Sequence, residues 1–181
     1  LALDRAVPDP RELPGIEIRP LIGGWDEYHI NRIYKARGMV PLRENFTASI
    51  LTRDEVQILV AWDSELGKTV GCVTGVDHVS AFSDPDNGSS LWALAIDPQC
   101  RQPGVGRALV EALAGWFRDR GRAFMDLSVM HDNEQAIALY KKLGFRQVPV
   151  YCVKTRNAIN EALYIGPRED EGINPYAQII S

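Results

Sequence analysis

Between Leu91 and Trp116 the sequence passes from the apolar run Leu91–Ile96, through a turn containing Pro98, Pro103, Gly104 and Gly106, to apolar positions at Val105, Ala108, Leu109, Ala112, Leu113 and Trp116. The first run is short and closed by proline, as a buried strand would be. The second repeats every three or four residues, which lines its apolar side chains along one helical face as far as Gly121. Ala123–Val129 then reads as another strand. Strand, helix and strand in that order close as a right-handed crossover, with the two strands parallel. Such a crossover lays its helix on a sheet face, which commits the chain to a layered α/β arrangement.

The flanking segments add to this unit. Ile16–Leu21 alternates as a short strand, and Trp25–Arg37 carries Tyr28, Ile30, Ile33 and Tyr34 at helical spacing. Pro41 separates that helix from a shorter one at Glu44–Thr52. Glu55–Trp62 and Thr69–Ser80 are rich in Val, Ile and Thr, and Asp63–Lys68 with Gly67 reads as the turn of an antiparallel hairpin. Ser83–Ser90 is a loop. Ala136, Leu139, Tyr140 and Leu143 form the stripe of a later helix, opened by Asp132 or Asn133 and closed by Gly144. Strands at Phe145–Thr155 and Ala162–Gly166 complete a mixed α/β (α+β) fold, one sheet with helices on both faces. Residues 1–14, with Pro8, Pro10 and Pro14 among charges, read as a flexible leader. Residues 15–166 form the domain, and 167–181 a tail or the start of a linker.

Composition narrows the functional classes. A chain of 181 residues is one domain in size and long enough to bury its own core. No apolar run approaches the roughly 20 residues of a membrane-spanning helix, and no secretory leader opens the chain, so a cytoplasmic location and no membrane partner are expected. A net charge of -4 speaks against nucleic acid as the principal partner. Cys72, Cys100 and Cys152 lack the spacing of a zinc site or disulfide framework, and His29, His78 and His131 are scattered, so no metal is expected.

The segment Gln99–Arg107 sits where a strand meets the start of the strongest helix. Free N–H groups in a helix's first turn, with the positive end of its dipole, bind anions. Gly104 and Gly106 permit close backbone approach, Arg101 and Arg107 add charge, and Pro103 has no N–H to offer. The same glycines also suit a plain tight turn. A P-loop would need Lys-Ser or Lys-Thr after Gly106, and a dinucleotide fingerprint would need glycine at Leu109; neither is present.

Three stretches together resemble the GCN5-related N-acetyltransferase (GNAT) family: Leu94-Ala95-Ile96-Asp97-Pro98, Arg101-x-x-Gly104-x-Gly106, and Asn133-x-x-Ala136-x-x-x-Tyr140-x-x-x-Gly144-Phe145. The resemblance covers roughly Ile16 to Ile165. It implies a mostly antiparallel central sheet splayed open between its fourth and fifth strands, with acetyl-CoA in the gap as acyl donor. The backbone of Leu94, Ala95 and Ile96 would run beside the pantetheine arm. The N–H groups of Gln102, Gly104, Val105, Gly106 and Arg107, with Arg101 nearby, would hold the pyrophosphate. Asn133 would reach the donor, or serve simply as a helix cap. Tyr140 matches the general acid that protonates the departing thiolate, although its place on the apolar stripe also suits a core residue. The Ile96 N–H would polarise the thioester carbonyl.

The amine needs a proton acceptor, because an ammonium has no lone pair with which to attack. Many members of the family place a Glu in the fourth strand, whereas Ser89, Ser90, Leu91, Trp92 and Ala93 supply no carboxylate here. Asp77 and His78 are the nearest titratable candidates, with Asp84 and Asp86 on the following loop; each also fits a solvated or merely hydrogen-bonded group. The base stays unassigned.

In this family the connection between the first two helices lines the acceptor side. Here it holds Arg37 and Arg43, with Tyr28, Arg32 and Tyr34 on the helix before it. Arginine suits bidentate capture of a carboxylate, which favours an amino-acid-like or dipeptide amine; ordinary surface arginines are the other reading. Lys154–Asn160, Leu163–Pro167 and Ile173–Tyr176 resemble acetyltransferase domains joined to an ATP-grasp ligase in bacterial synthesis of N-acetylglutaminylglutamine amide, which would make glutaminylglutamine the acceptor. The absence of an initial Met and the apolar end at Ile179 and Ile180 read as the cut edges of a longer protein. By resemblance a homodimer is expected. A catalytically silent acyl-CoA-binding regulatory module and an acetyltransferase acting on a protein amine are the alternatives.

Overall fold

The computed structural model describes residues 1–3, 12–130, 132–147, 152–154 and 165–167. In chain order the elements are β1 (Ile16–Pro20), α1 (Gly24–Ala36), α2 (Phe46–Ile50), β2 (Val56–Asp63), β3 (Lys68–Asp77), α3 (His78–Phe82), β4 (Gly88–Ile96), α4 (Val105–Asp119), β5 (Phe124–Leu127), α5 (Glu134–Lys142), β6 (Cys152–Lys154) and β7 (Ile165–Pro167). The first five strands form one sheet in sequential order, antiparallel except for the parallel pair β4–β5. That exception is the crossover required by the helix between them. Strands β6 and β7 pair with each other.

Helix α4 covers one face. Its stripe of Val105, Leu109, Leu113 and Phe117 is buried with Leu59, Val73, Leu91, Met125 and Leu127. The contact is close enough to require glycine from β3: a Cβ on Gly75 would stand 2.7 Å from the Phe117 ring. Helix α1 covers the other face, where Ile30, Ile33 and Tyr34 pack on Val60, Cys72 and Ala95. Burial there pushes the Cys72 thiol up to about 12, so it is a packed, unreactive group. The hairpin turn is held by Asp63, whose Oδ1 accepts from the Glu65 and Leu66 N–H groups at 2.9 and 3.0 Å.

Several boundaries differ from the sequence reading. The strand expected to reach Ser80 stops at Asp77, because the Asp77 carboxylate accepts from the N–H groups of Val79 and Ser80 at 3.0 and 3.2 Å and opens α3. His78 therefore stands on a short helix rather than a strand. Strand β4 begins at Gly88, ahead of its apolar run. The first three residues, expected in a poorly ordered leader, lie along β5: the Leu3 N–H donates to Ala123 at 2.8 Å and Leu3 is buried. The expected strands after Phe145, and the C-terminal resemblance at Lys154–Tyr176, fall largely outside the described residues.

The pairing between β4 and β5 is short. Gly88, Ser89, Ser90 and Leu91 face Phe124, Met125, Asp126 and Leu127, and β4 then runs on to Ile96 without β5 beside it. Opposite β3, Thr74 faces Ala93 and Gly75 faces Leu91, so Trp92 is an extra, bulged residue at the parting of the strands. The paired end is clamped. Asp77 accepts from Arg122 Nε at 2.9 Å and from Arg120 Nε at 3.2 Å, Arg122 also donates to Asn87 at 2.7 Å, and the Ser89 hydroxyl donates to the Phe124 carbonyl at 2.7 Å.

Candidate active site

Past Leu91, the β4 backbone that faces the opening has no β5 partner. The Asp97 N–H donates to the Val70 carbonyl at 2.8 Å, which turns Asp97 towards β3. Groups alternate along a strand, so Ala95 also faces β3, whereas Leu94 and Ile96 direct N–H and C=O into the opening. Of the three residues expected to flank a donor arm, Ala95 belongs to the ladder, while Leu94 and the Ile96 N–H have no strand partner on the β5 side among the described residues. The Ile96 carbonyl receives a hydrogen bond from Arg37 Nε at 2.8 Å.

The glycine turn lies at the open end of β4. Gly104 has φ +86 and is the N-cap of α4, a left-handed conformation that favours glycine. The N–H groups of Val105, Gly106 and Arg107 form the first turn and have no carbonyl inside the helix to meet. A Cβ on Gly106 would come no closer than 3.7 Å to Ile96 or Leu139, so packing does not demand glycine there. The first-turn donors at the start of this helix fit an anionic phosphate group. Arg107 has its Nε on Glu111 at 2.7 Å, Arg101 is exposed, and Gln102 is half-buried.

Tyr140 lies 6% exposed in the same cluster as Leu91 and Leu127, the last strand pair before the parting, with its ring edge-on to Phe145 at 5.6 Å. Burial pushes its phenol up to about 12, which keeps it protonated and able to donate. Asn133 caps α5, its Oδ1 accepting from the Ala136 N–H at 3.2 Å.

The acceptor-side candidates divide. Arg32 is tied down, 2.8 Å from buried Asp97 and donating to the Thr69 carbonyl and His29 Nδ1, both at 3.3 Å. It acts as a strut between α1 and the sheet. Tyr28 is exposed and stacks on Trp25, and Arg43 is exposed.

The proposed proton acceptors divide as well. Asp77 has no exposed side-chain surface. Burial opposes its charge, but Arg122 and the α3 backbone outweigh it and hold the carboxyl below its usual range, with its oxygens committed to the clamp. Asp86 is exposed on the loop. His78 is placed differently: Nδ1 stands 3.3 Å from Asp84 Oδ2 and Nε2 2.5 Å from Ser90 Oγ. The Ser90 hydroxyl in turn donates to Asp126 Oδ1. Neither Ser90 nor Asp126 belongs to a motif legible in the sequence. The available sign was a lone acid inside the apolar run Phe124–Leu127.

Among the described residues no helix is long and apolar enough to cross a membrane. The Acetyltransferase (GNAT) family pattern matches residues 25–145. A 62-residue stretch is 40% identical to the [ribosomal protein bS18]-alanine N-acetyltransferase of Escherichia coli (strain K12), covering 34% of this chain and 42% of that one. The mycothiol acetyltransferase of Geodermatophilus obscurus is 29% identical over 148 residues, 76% of this chain and 47% of its own. Each match thus spans less than half of the relative's length. Among solved structures, the Escherichia coli ribosomal-protein-S18-alanine N-acetyltransferase superposes with a TM-score of 0.60 at 26% identity, covering 76% of this chain and 81% of that one. AAC(6')-Iy, bound to the bisubstrate analogue CoA-S-monomethyl-acetylneamine, shares the fold with a TM-score of 0.63 at 20% identity, covering 78% of this chain and 99% of its own. Sequence and fold agree, and the chain belongs to the GNAT family of acetyltransferases.

Proposed function

We propose that this chain moves an acetyl group from acetyl-CoA to the primary amine of a small amino-acid-like or dipeptide acceptor, with glutaminylglutamine as the specific candidate. The observation that carries the donor half is the unpaired edge of β4 at Leu94 and Ile96, ending beside the open N-terminal turn of α4. In this reading the first-turn N–H groups and Arg101 hold the pyrophosphate, and the β4 edge pairs with the pantetheine amides. The bound donor supplies an activated acyl thioester. The Ile96 N–H polarises its carbonyl, and Tyr140 protonates the leaving sulfur. Exposed Arg43, and Arg37 once released from Ile96, offer guanidinium groups to an acceptor carboxylate.

A second reading, acetylation of a protein N-terminus, is favoured by the stretch shared with the bS18-alanine enzyme. The two separate when purified protein is mixed with acetyl-CoA and a panel of amino acids, dipeptides including glutaminylglutamine, polyamines and an alanine-terminated peptide, while free thiol is followed. Release with dipeptides supports the first reading, and release with the peptide alone supports the second. No release above buffer with any acceptor rejects both.

A further inference from the structure

Four side chains from separate parts of the fold form one hydrogen-bonded chain: Asp84 in the loop, His78 on α3, Ser90 on β4 and Asp126 on β5. Ser90 and Asp126 face each other one pair before the strands part. Leu91, Met125 and Leu127 turn towards α4, so Ser90 and Asp126 point to the opposite face, the one that α1 covers. The carboxylate missing from β4 is thus present beside it, one strand over.

The hydrogen-bond inventory allows two arrangements that differ only in where protons sit. In one, Nε2–H donates to Ser90 and the Ser90 hydroxyl donates to the Asp126 carboxylate. In the other, protonated Asp126 donates to Ser90, whose hydroxyl donates to Nε2. In both, Nδ1–H faces Asp84. A proton can therefore cross Ser90 in either direction without breaking the chain.

We propose that this chain takes the proton that an acceptor ammonium must lose before it attacks, a role that rests on the acetyl-transfer reading above. The ammonium gives a proton to Ser90 Oγ as Ser90 passes its own to Asp126. The freed amine lone pair then forms the C–N bond as the C–S bond breaks. Of the two protons that nitrogen loses, one ends on the thiol, delivered through Tyr140, and the other leaves through His78 to water, with the Asp84 carboxylate beside Nδ1 remaining an anion. Asp84 and His78 are each 17% exposed in their side chains, whereas Asp126 is 7% exposed, so the route runs from buried to open.

The electrostatics agree. Burial pushes the Asp126 carboxyl above the usual range, which strengthens it as a base; Asp84 adds to this, while Ser90, His78 and the Leu1 amino group oppose it. At the far end burial also opposes charge on Asp84, but the N–H groups of Asp86 and Gly88, with His78, outweigh it and hold that carboxyl below its usual range. The fixed anion lies against Nδ1 and leaves Nε2 facing Ser90.

The test uses wild-type protein with Ser90→Ala and Asp126→Asn variants, and glutaminylglutamine and an alanine-terminated peptide as acceptors. Rates are followed from about pH 6 to about pH 10, across the amine's own titration, with acetyl-CoA affinity measured by calorimetry. Both variants should bind acetyl-CoA as wild type does and lose on the order of 100-fold in kcat near neutrality. The loss should shrink as pH rises and free amine forms unaided; a merely structural defect would lower the rate equally at every pH. Without donor or acceptor, Asp126→Asn should shift the His78 ring nitrogen signals in NMR, through Ser90. It should also resist denaturant better than wild type at neutral pH, since a raised folded value means ionisation of Asp126 erodes stability as pH rises through it. An active wild type whose variants keep its rate, pH profile and His78 signals overturns the relay and leaves acetyl transfer standing. A wild type inactive on both acceptors overturns the transfer reading itself and, with it, the relay.

Discussion

Arg37 donates from Nε to the Ile96 carbonyl at 2.8 Å, which ties the loop after α1 to the edge of β4 that β5 leaves uncovered. A pantetheine amide paired along that edge, as proposed, would compete with the guanidinium for the same oxygen. Arg37→Ala should therefore tighten acetyl-CoA binding by about two- to tenfold, the worth of one solvent-exposed hydrogen bond. Calorimetric titration of both proteins measures this, and weaker binding by the variant would place Arg37 on the donor instead.

The two glycines of the turn should respond differently. Gly104 sits at φ +86, so Gly104→Ala should cost about 1–2 kcal/mol of folding stability through backbone strain. Gly106 has no such φ, and a Cβ there would make ordinary contacts at 3.7–3.8 Å with Ile96 and Leu139, so Gly106→Ala should fold as well as wild type or slightly better. If the first-turn N–H groups hold the pyrophosphate as proposed, the added methyl would narrow the approach to them, and acetyl-CoA affinity should fall by about tenfold or more. Urea melts and titrations on the same samples separate the two effects.

Tyr140→Phe removes one oxygen from a packed site and keeps the ring against Phe145. Loss of a general acid is expected to lower kcat by on the order of 100- to 10,000-fold with acetyl-CoA affinity unchanged. Turnover close to wild type would make Tyr140 a core residue and no more.

Asp77 is predicted to matter for folding rather than chemistry. Removing a fully buried carboxylate leaves two partly exposed arginines without their anion and the Val79 and Ser80 N–H groups without their cap, so Asp77→Ala should cost about 2–4 kcal/mol in denaturant unfolding. The sign with pH follows from a folded value held below the unfolded one. Its contribution is complete above about pH 4–5 and is lost as acid approaches the folded value, so the gap between wild type and variant should narrow on acidification.

The parts of the fold that could be read from the sequence were those set by local pattern. The stripe from Val105 to Trp116, the Asp63–Lys68 turn and the parallel crossover follow from spacing and turn chemistry over a few residues. The end of β3 was not legible, because Thr69–Ser80 is favourable for a strand throughout and only the Asp77 side chain, competing for the next N–H groups, stops it. The chain through Ser90 lay further out of reach. His78 meets a serine 12 residues on, and that serine meets an aspartate 36 residues on, through the register of a parallel pair that no local signal encodes. Arg32 shows the same limit: its charge was visible, but its capture by Asp97 depends on how α1 lies across the end of β4.

The clamp at the paired end of β4 and β5 has a mechanical consequence. Asp77, Arg120, Arg122 and Asn87 fasten one end, while past Leu91 β4 keeps its ladder to β3 on one edge and has no β5 partner on the other. The opening is thus a wedge that closes at the clamp, with β3 bracing the β4 side along its length. The Ser90–Asp126 pair sits at the closed end of that wedge, and Leu94 and Ile96 line the open one.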